Sequence, residues 1–400
     1  MADIQHALLP FRPKPQPDEL LSSWVVALAA ANIRKLHPFS KLLFPHFRNL
    51  WGLDFDVHAQ EEDFVVLSRL TGVPSDQISQ TTLRAYEGVL FEEIYEHGPI
   101  RGVLRIRKHG RSRTGRGQQY CPQCLANDDR PYFRKTWRLA LSVLCTVHGT
   151  WLRDGCPWCD APISFHEGDY GQQMPSQLSR VTRCPQCNGR LTELPEEAPH
   201  EPPAALFDFQ ARILNAIHHG FSIELPGGGV NSVPLFDGLM RLLSVLTSVG
   251  HAAILREYLL QSSGALALDV SRLAEKGSFE DLRTGDRATL LLCLEELLSN
   301  WPEQFLQACK ACGLSSSYFQ RQRVPLPYWL ASEVRWGLFD EYYAPNSEER
   351  AAVRAYLEAR GEKPTSNAIK RLLGVAFRPL IEGDPLVRSK HTWNPRGPRH

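Results

Sequence analysis

Eight residues of metal-ligand type occur in one ordered run: Cys121, Cys124, Cys145, His148, Cys156, Cys159, Cys184 and Cys187. The pattern reads CxxC, 20 residues, CxxH, 7 residues, CxxC, 24 residues, CxxC. Ten cysteines scattered at random over 400 residues would give roughly a quarter of one CxxC pair. Four such pairs occur, and three of them fall in this run. Two residues between ligands let one tight turn aim both side chains at the same ion. Proline follows the first cysteine of three pairs (Pro122, Pro157 and Pro185), and its fixed φ shapes such turns. The spacing predicts two structural Zn2+ sites. Sequential pairing puts the first four ligands in one site and the last four in the other. An interleaved cross-brace satisfies the same spacing. In either case four protein ligands close a tetrahedron and leave no corner for a reacting water. The run therefore argues for a scaffold rather than for catalysis.

Composition narrows the class. A chain of 400 residues has room for two or three domains with their own cores. The formal net charge of +1 excludes a global polyelectrolyte, so any nucleic-acid contact must be local. The N-terminal stretch MADIQHALLPFRPKPQPDE has no apolar segment of signal-peptide type. The longest uncharged apolar stretch, 139–152, holds 14 residues, too few to span a bilayer. These features predict a soluble intracellular protein whose thiols stay reduced and open to zinc.

The fold class expected is mainly α, with helix-turn-helix-type domains flanking a central module of two zinc fingers. Residues 1–116 form an N-terminal helical domain with a basic arm, and 117–195 the zinc module. Residues 196–203, rich in proline and glutamate, read as a linker, and 204–400 as C-terminal helices with a basic tail. Leu20, Leu21, Trp24, Val25 and Leu28 share one helical face, with Ser22 and Ser23 toward solvent. EEDFVVLSRLTGV, then Pro74-Ser75, then DQISQTTLRAY gives helix, glycine turn, helix, with Ser75 as the second helix's cap. FLQACKACG with LSSSYFQRQR, and ERAAVRAYLEARG with KPTSNAIKRLLGV, repeat that outline. Ser315 and Thr365 are their caps, and Arg321, Arg323, Lys370 and Arg371 lie on the second helices. Tyr132, Phe133, Trp137, Leu139 and Leu141 are the expected small core of the zinc module. Cys293, Cys309 and Cys312 read as structural thiols.

The candidate nucleic-acid or partner-binding residues are Arg101, Arg105, Arg107, Lys108, Arg111, Arg113 and Arg116, joined by Arg134 and Lys135. No Asp or Glu occurs between Glu96 and Asp128, and glycines at 102, 110, 115 and 117 favour a loop. An arginine-rich arm suits phosphate contact, because neutralised phosphates release counterions. A solvated loop, or docking of an acidic protein, fits the same residues. Arg130 and Arg138 extend the basic character toward the second ligand pair.

The segments PDELLSSWVVALA, YCPQC, WRLALSVLCTVHGTWLRDGCPWC and RCPQC resemble the TniQ/TnsD family of bacterial transposition proteins. The resemblance covers residues 8 to about 195 and extends more loosely over the helical remainder. It implies an N-terminal helix-turn-helix, two zinc-finger motifs whose ligands are the eight residues above, and C-terminal helical domains. It also implies a cytoplasmic, non-enzymatic target selector that associates with the nucleoid when bound. Such proteins work with an AAA+ ATPase regulator and a DDE transposase. Some members bind a DNA attachment site, others bridge a CRISPR effector complex to the ATPase, and some form homodimers. A different class, a sequence-specific zinc-containing transcription regulator, would use the same helix pairs. A zinc hydrolase is disfavoured, since SFHEGDYG lacks the second histidine of HExxH.

Overall fold

The computed structural model describes residues 8–47, 50–94, 100–106, 115–168, 181–194, 201–226, 231–248, 251–262, 278–319, 325–338, 347–365 and 368–369. Among them the regular structure is helical, and β pairing is limited to isolated bridges. The chain divides into two compact units, Met1–Phe236 with Ala265–Glu295, and Asp237–Gly264 with Glu296–His400. No division falls at 196–203, where the sequence suggests a linker. The reason lies in the zinc region, which shares its core with segments before and after it.

The first unit begins with α1 (Leu21–Ala31), α2 (Leu36–Leu43), α3 (Phe55–His58), α4 (Glu61–Thr71) and α5 (Ser75–Ser79). Every residue of α1 from Leu21 to Ala29 is buried, as befits a helix apolar on nearly all sides. Ser22 and Ser23 are therefore interior, against the solvent-side expectation. Leu20, at the N-cap, has no side chain to cap the orphan N–H groups of the first turn. Asp56 supplies the cap from α3: it accepts from Ser22 N at 2.8 Å and from Ser22 Oγ at 2.7 Å. Ser23 Oγ donates to Glu19 and accepts from Phe133 N at 3.1 Å.

α4 opens with a reciprocal Gln60–Asp63 capping box and ends at Gly72 in the left-handed region. The helix pair forms, but α5 has only five residues and Pro74 takes its N-cap position. Ser75 is thus the first helical residue rather than the cap. A five-residue helix rises about 7.5 Å, a short element for reading a groove.

The zinc region holds α6 (Pro122–Asn127) and antiparallel bridges Tyr120–Arg153, Leu144–Trp151 and Arg183–Arg190. Tyr132, Phe133, Trp137, Leu139 and Leu141 are buried as expected. Their core continues outside the module. α7 (Ala204–His219) presents Gln210, whose Oε1 accepts from Val143 N and Leu144 N while its amide donates to Leu144 O. α8 (Ser232–Thr247), α9 (His251–Ser262) and α10 (Thr284–Leu298) follow. From the first turn of α10, fully buried Arg287 donates to the carbonyls of Ala140 and Ser142 and to Gln119 Oε1. Burial pulls its guanidinium down to about 10.

The second unit contains α11 (Glu303–Ala311), α12 (Ser316–Phe319), α13 (Tyr328–Ser332) and α14 (Ser347–Ala359). Trp301, Phe305, Phe319 and Trp329 form an aromatic chain with centroids 4.9–5.4 Å apart. Gly313 and Gly361 take left-handed turns as the sequence suggests. Thr365 Oγ1 accepts from Ala368 N, the expected cap. Arg321, Arg323, Lys370, Arg371 and the basic tail lie outside the described residues. Cys293, Cys309 and Cys312 are buried.

Candidate metal centres

Pairing in the structure is sequential. The ligand atoms of Cys121, Cys124, Cys145 and His148 lie within 4.8 Å of one another, and so do those of Cys156, Cys159, Cys184 and Cys187. In the first cluster, His148 Nδ1 stands 3.6, 3.3 and 3.6 Å from the Sγ atoms of Cys121, Cys124 and Cys145, and Cys124 Sγ is 3.6 Å from Cys145 Sγ. In the second, Cys156–Cys187 and Cys159–Cys184 Sγ distances are 3.6 and 3.7 Å. Zn–S and Zn–N bonds in a tetrahedron require S···S edges of about 3.8 Å and S···N edges of about 3.6 Å. Both donor sets fit.

Three of the four knuckles share one backbone design. In each, the residue after the second ligand has positive φ: Gly149 (64°), Asp160 (54°) and Asn188 (60°). Its N–H donates to the carbonyl of the first ligand: Gly149 to Cys145, Asp160 to Cys156 and Asn188 to Cys184, at 2.8–2.9 Å. The first ligand's own N–H then reaches the carbonyl of Thr150, Ala161 or Gly189. Gly, Asp and Asn are the residues that enter the left-handed region most readily. That signal was present in the sequence. The fourth knuckle differs. Pro122 starts α6, and Cys121 Sγ accepts from Cys124 N at 3.5 Å as the helix N-cap.

Electrostatics favour a cation. Contacts from Cys124 and Cys145, the Cys124 N–H and the Thr150 hydroxyl hold the Cys121 thiol far below its usual range. The Cys124 and Cys145 thiols are pushed up by that same Cys121 neighbour. Three crowded thiols cannot all ionise without a positive charge among them. In the second cluster burial pushes Cys156 up to about 12, while the Gly189 backbone lowers exposed Cys187. His148 Nε2 lies on the far side of the ring from the cluster, 3.5 Å from the Asn127 amide nitrogen. Trp158 covers the second site. Its Nε1 donates to Arg190 O, and a Cβ on Gly189 would fall 2.3 Å from its ring.

Among the described residues, four of the candidate basic side chains, Arg105, Arg116, Arg134 and Lys135, have partners within the first unit. Arg105 pairs with Asp281 at 3.2 Å, and Arg116 makes a two-pronged pair with Asp160 at 3.1 and 2.8 Å. Arg134 grips Asp128 the same way, stacked over Tyr132 and Trp137. Lys135 Nζ donates to the Gln80 carbonyl, with its charged form disfavoured by burial. Arg101 is half-buried. Arg130 holds buried Glu19 at 2.6 Å. Arg138, fully buried, bonds Asp54 and the Leu104 carbonyl, with Asp56 3.5 Å away. None of these pairs is local in sequence except Arg134–Asp128, so charge alone pointed outward while the partners lay elsewhere. Arg107, Lys108, Arg111 and Arg113 lie outside the described residues.

The linking residues that sequence reasoning passed over are Glu19, Asp54, Asp56, Asp154, Asp160 and Arg283. Arg283 donates to Asp154 and to Asp160, joining the second knuckle to the start of α10. A charged residue inside an apolar run, such as Arg138 in TWRLALSV, was the available clue.

No helix among the described residues is long and apolar enough to cross a membrane. No curated protein matches the chain. Residues 10–152 match the family model described as TniQ, a span that takes in α1, the Asp56–Arg138 pair and the whole first metal cluster, and stops before the second. Over that span the chain is similar to the TniQ family.

Proposed function

We propose that the chain is a non-enzymatic adaptor for transposition. In this reading it recognises target DNA, or a DNA-bound complex such as a CRISPR effector, and recruits an AAA+ ATPase that loads a DDE transposase. One observation carries the reading. The first metal cluster is locked to α1 through Glu19–Arg130 and Ser22–Asp56–Arg138, so TniQ helix and knuckles make one rigid platform. Zinc is the ion that fits both a tetrahedron of three thiolates with one imidazole and a tetrahedron of four thiolates, and two ions would bind per chain. All four corners of each site are protein atoms, which favours structural metal over catalytic metal. The short α5 supports an adaptor over a transcription regulator that reads DNA with a long recognition helix. The arm residues Arg107, Lys108, Arg111 and Arg113 are proposed to touch nucleic acid or a partner.

The test is co-purification of the full chain with an AAA+ ATPase transposition regulator, with target DNA present and absent. A stable complex is expected. Absence of any complex, together with tight binding to a promoter sequence, would leave the regulator reading in its place.

A further inference from the structure

An open groove of about 650 Å³ lies on the N-terminal face of the first unit, remote from both metal clusters in its lining. Its bottom is closed by buried Leu9 and Phe39. α2 buries Leu36, Phe39, Ser40 and Leu43, yet Pro38 and Leu42, one turn apart on another side, are exposed and line the groove. α2 is therefore apolar on more of its surface than its own fold uses. The opposite wall, residues 8–10, is pinned in place. Leu9 N donates to Leu70 O, and Asn32 bonds Phe11 through both its amide oxygen and its amide nitrogen.

Ile33 closes one end, and it is the second observation. Its φ is +53°, a conformation that β-branched residues avoid. Its side chain is 72% exposed, so no packing in the chain explains keeping an isoleucine there. A strained residue held at a surface cleft points to a use outside the fold.

The rim is cationic. Arg34 and Lys35 line the groove, and no carboxylate among the described residues pairs with either. No Asp or Glu occurs from Leu20 to Leu53, whereas Arg34, Lys35, Lys41 and Arg48 do. Among the described residues no carboxylate lines the groove, and Glu19, Asp56 and Asp63 are buried against Arg130, Arg138 and His46.

We propose that this groove docks an acidic amphipathic helix of a partner protein. Its apolar side chains would lie along Leu42, Pro38 and Ile33, and its carboxylates would meet Arg34 and Lys35. Helix-in-groove recognition uses such a preformed apolar cleft with anchors at i, i+3, i+4 and i+7. The Leu9 N–H is already spent on Leu70, which disfavours strand addition along that wall. The groove would serve the adaptor reading by giving it a protein contact, but it is tested without the ATPase, so either can fail alone.

Fluorescein-labelled helical peptides of about sixteen residues, one of Glu and Leu and one of Lys and Leu, carry leucines in the helix-in-groove pattern. Each is titrated against the full chain by anisotropy. The acidic peptide is expected to bind, and Leu42→Asp to weaken it about tenfold or more. Arg34→Glu with Lys35→Glu should reverse the preference between the peptides. Ile33→Gly should weaken binding while raising Tm, because glycine accepts the positive φ without strain. Metal content of each variant reports that the fold is kept. Equal binding of both peptides, or unchanged binding in Leu42→Asp, overturns the proposal. So does self-association that Leu42→Asp abolishes, since a second copy then fills the groove. Binding seen only after removal of the residues before Leu8 overturns it too, since the chain then covers its own groove.

Discussion

Ser22 gives both its backbone N–H and its hydroxyl to the Asp56 carboxylate, at 2.8 and 2.7 Å. The same carboxylate faces Arg138, which is fully buried and lies just ahead of the second ligand pair. An N-terminal helix cap and the segment that leads into a metal knuckle thus meet at one acidic side chain.

Replacing Arg138 tests that dependence. Arg138→Met would leave Asp54 and Asp56 close together with no counter-charge, Asp56 fully inside. Breaking a buried ion pair from one side costs about 3–5 kcal/mol. Urea unfolding followed by tryptophan fluorescence should show a loss of that order. The double variant Arg138→Met with Asp56→Asn should recover part of it, because the stranded charge is gone. A single-variant loss below about 1 kcal/mol would match an exposed pair and contradict the burial seen here.

Asp56 also gives a pH signature. Burial, helped by the neighbouring Asp54 charge, pushes its carboxyl up to about 6 against the pull of Arg138 and Ser22. The folded-state value lies above the ordinary carboxyl value of 3.8, so the folded chain holds an extra proton in between. Stability from this group is complete below about pH 4 and is lost as pH rises through about 6. Asparagine cannot titrate. The Tm of the native chain minus that of Asp56→Asn should therefore fall steadily between about pH 4 and 6 and level off above. Taking the difference at each pH cancels the acid sensitivity of the thiolate sites. A difference that rises with pH across that window would refute the assignment.

The two metal clusters should part company on chelation. In the first, all three cysteines are buried and His148 is half-buried; in the second, Cys159 and Cys187 are exposed. Graded chelator should remove one metal quickly and the other slowly. Cys187→Ser should lose one metal with hydrogen-exchange protection changed around 156–190. Cys145→Ser should lose one metal and expose Phe133, Trp137 and α1 as well. Equal rates of release, or a global collapse in Cys187→Ser, would show that the two sites are not separable.

The ligand run was legible in the sequence because knuckle spacing is local, and the helices of the C-terminal half were legible because their periodicity is local. The pairing of ligands, the burial of Ser22 and Ser23, and the fate of the arginines were not. Each depends on partners far along the chain. Arg116 finds Asp160 and Arg138 finds Asp54 at separations of 44 and 84 residues. Charge pattern reports that a guanidinium exists, and only packing reports whether a carboxylate waits for it. α1 misled for a related reason. Leu20, Leu21, Trp24, Val25 and Leu28 make one apolar stripe, whereas the helix is buried from Leu21 to Ala29 and its two serines are satisfied by Asp56 and Glu19.

The left-handed residue after each second ligand offers the sharpest test of the knuckle design. Asn188→Gly keeps the positive φ without a Cβ, so stability should hold or rise by a few tenths of a kcal/mol. Asn188→Val puts a β-branched residue where the left-handed region costs about 1–2 kcal/mol, and the second metal should bind more weakly. Asp160→Gly separates two roles. It preserves the turn but removes the carboxylate that Arg116 and Arg283 share. Metal affinity at the second cluster should then stay close to native, while hydrogen-exchange protection at the start of α10 falls, because Arg283 keeps only Asp154. Competition with a zinc-responsive dye reads the first quantity, and amide exchange across 278–287 reads the second. If Asp160→Gly weakens metal binding as much as Asn188→Val, the carboxylate acts on the ion site itself and the division of roles drawn here is wrong.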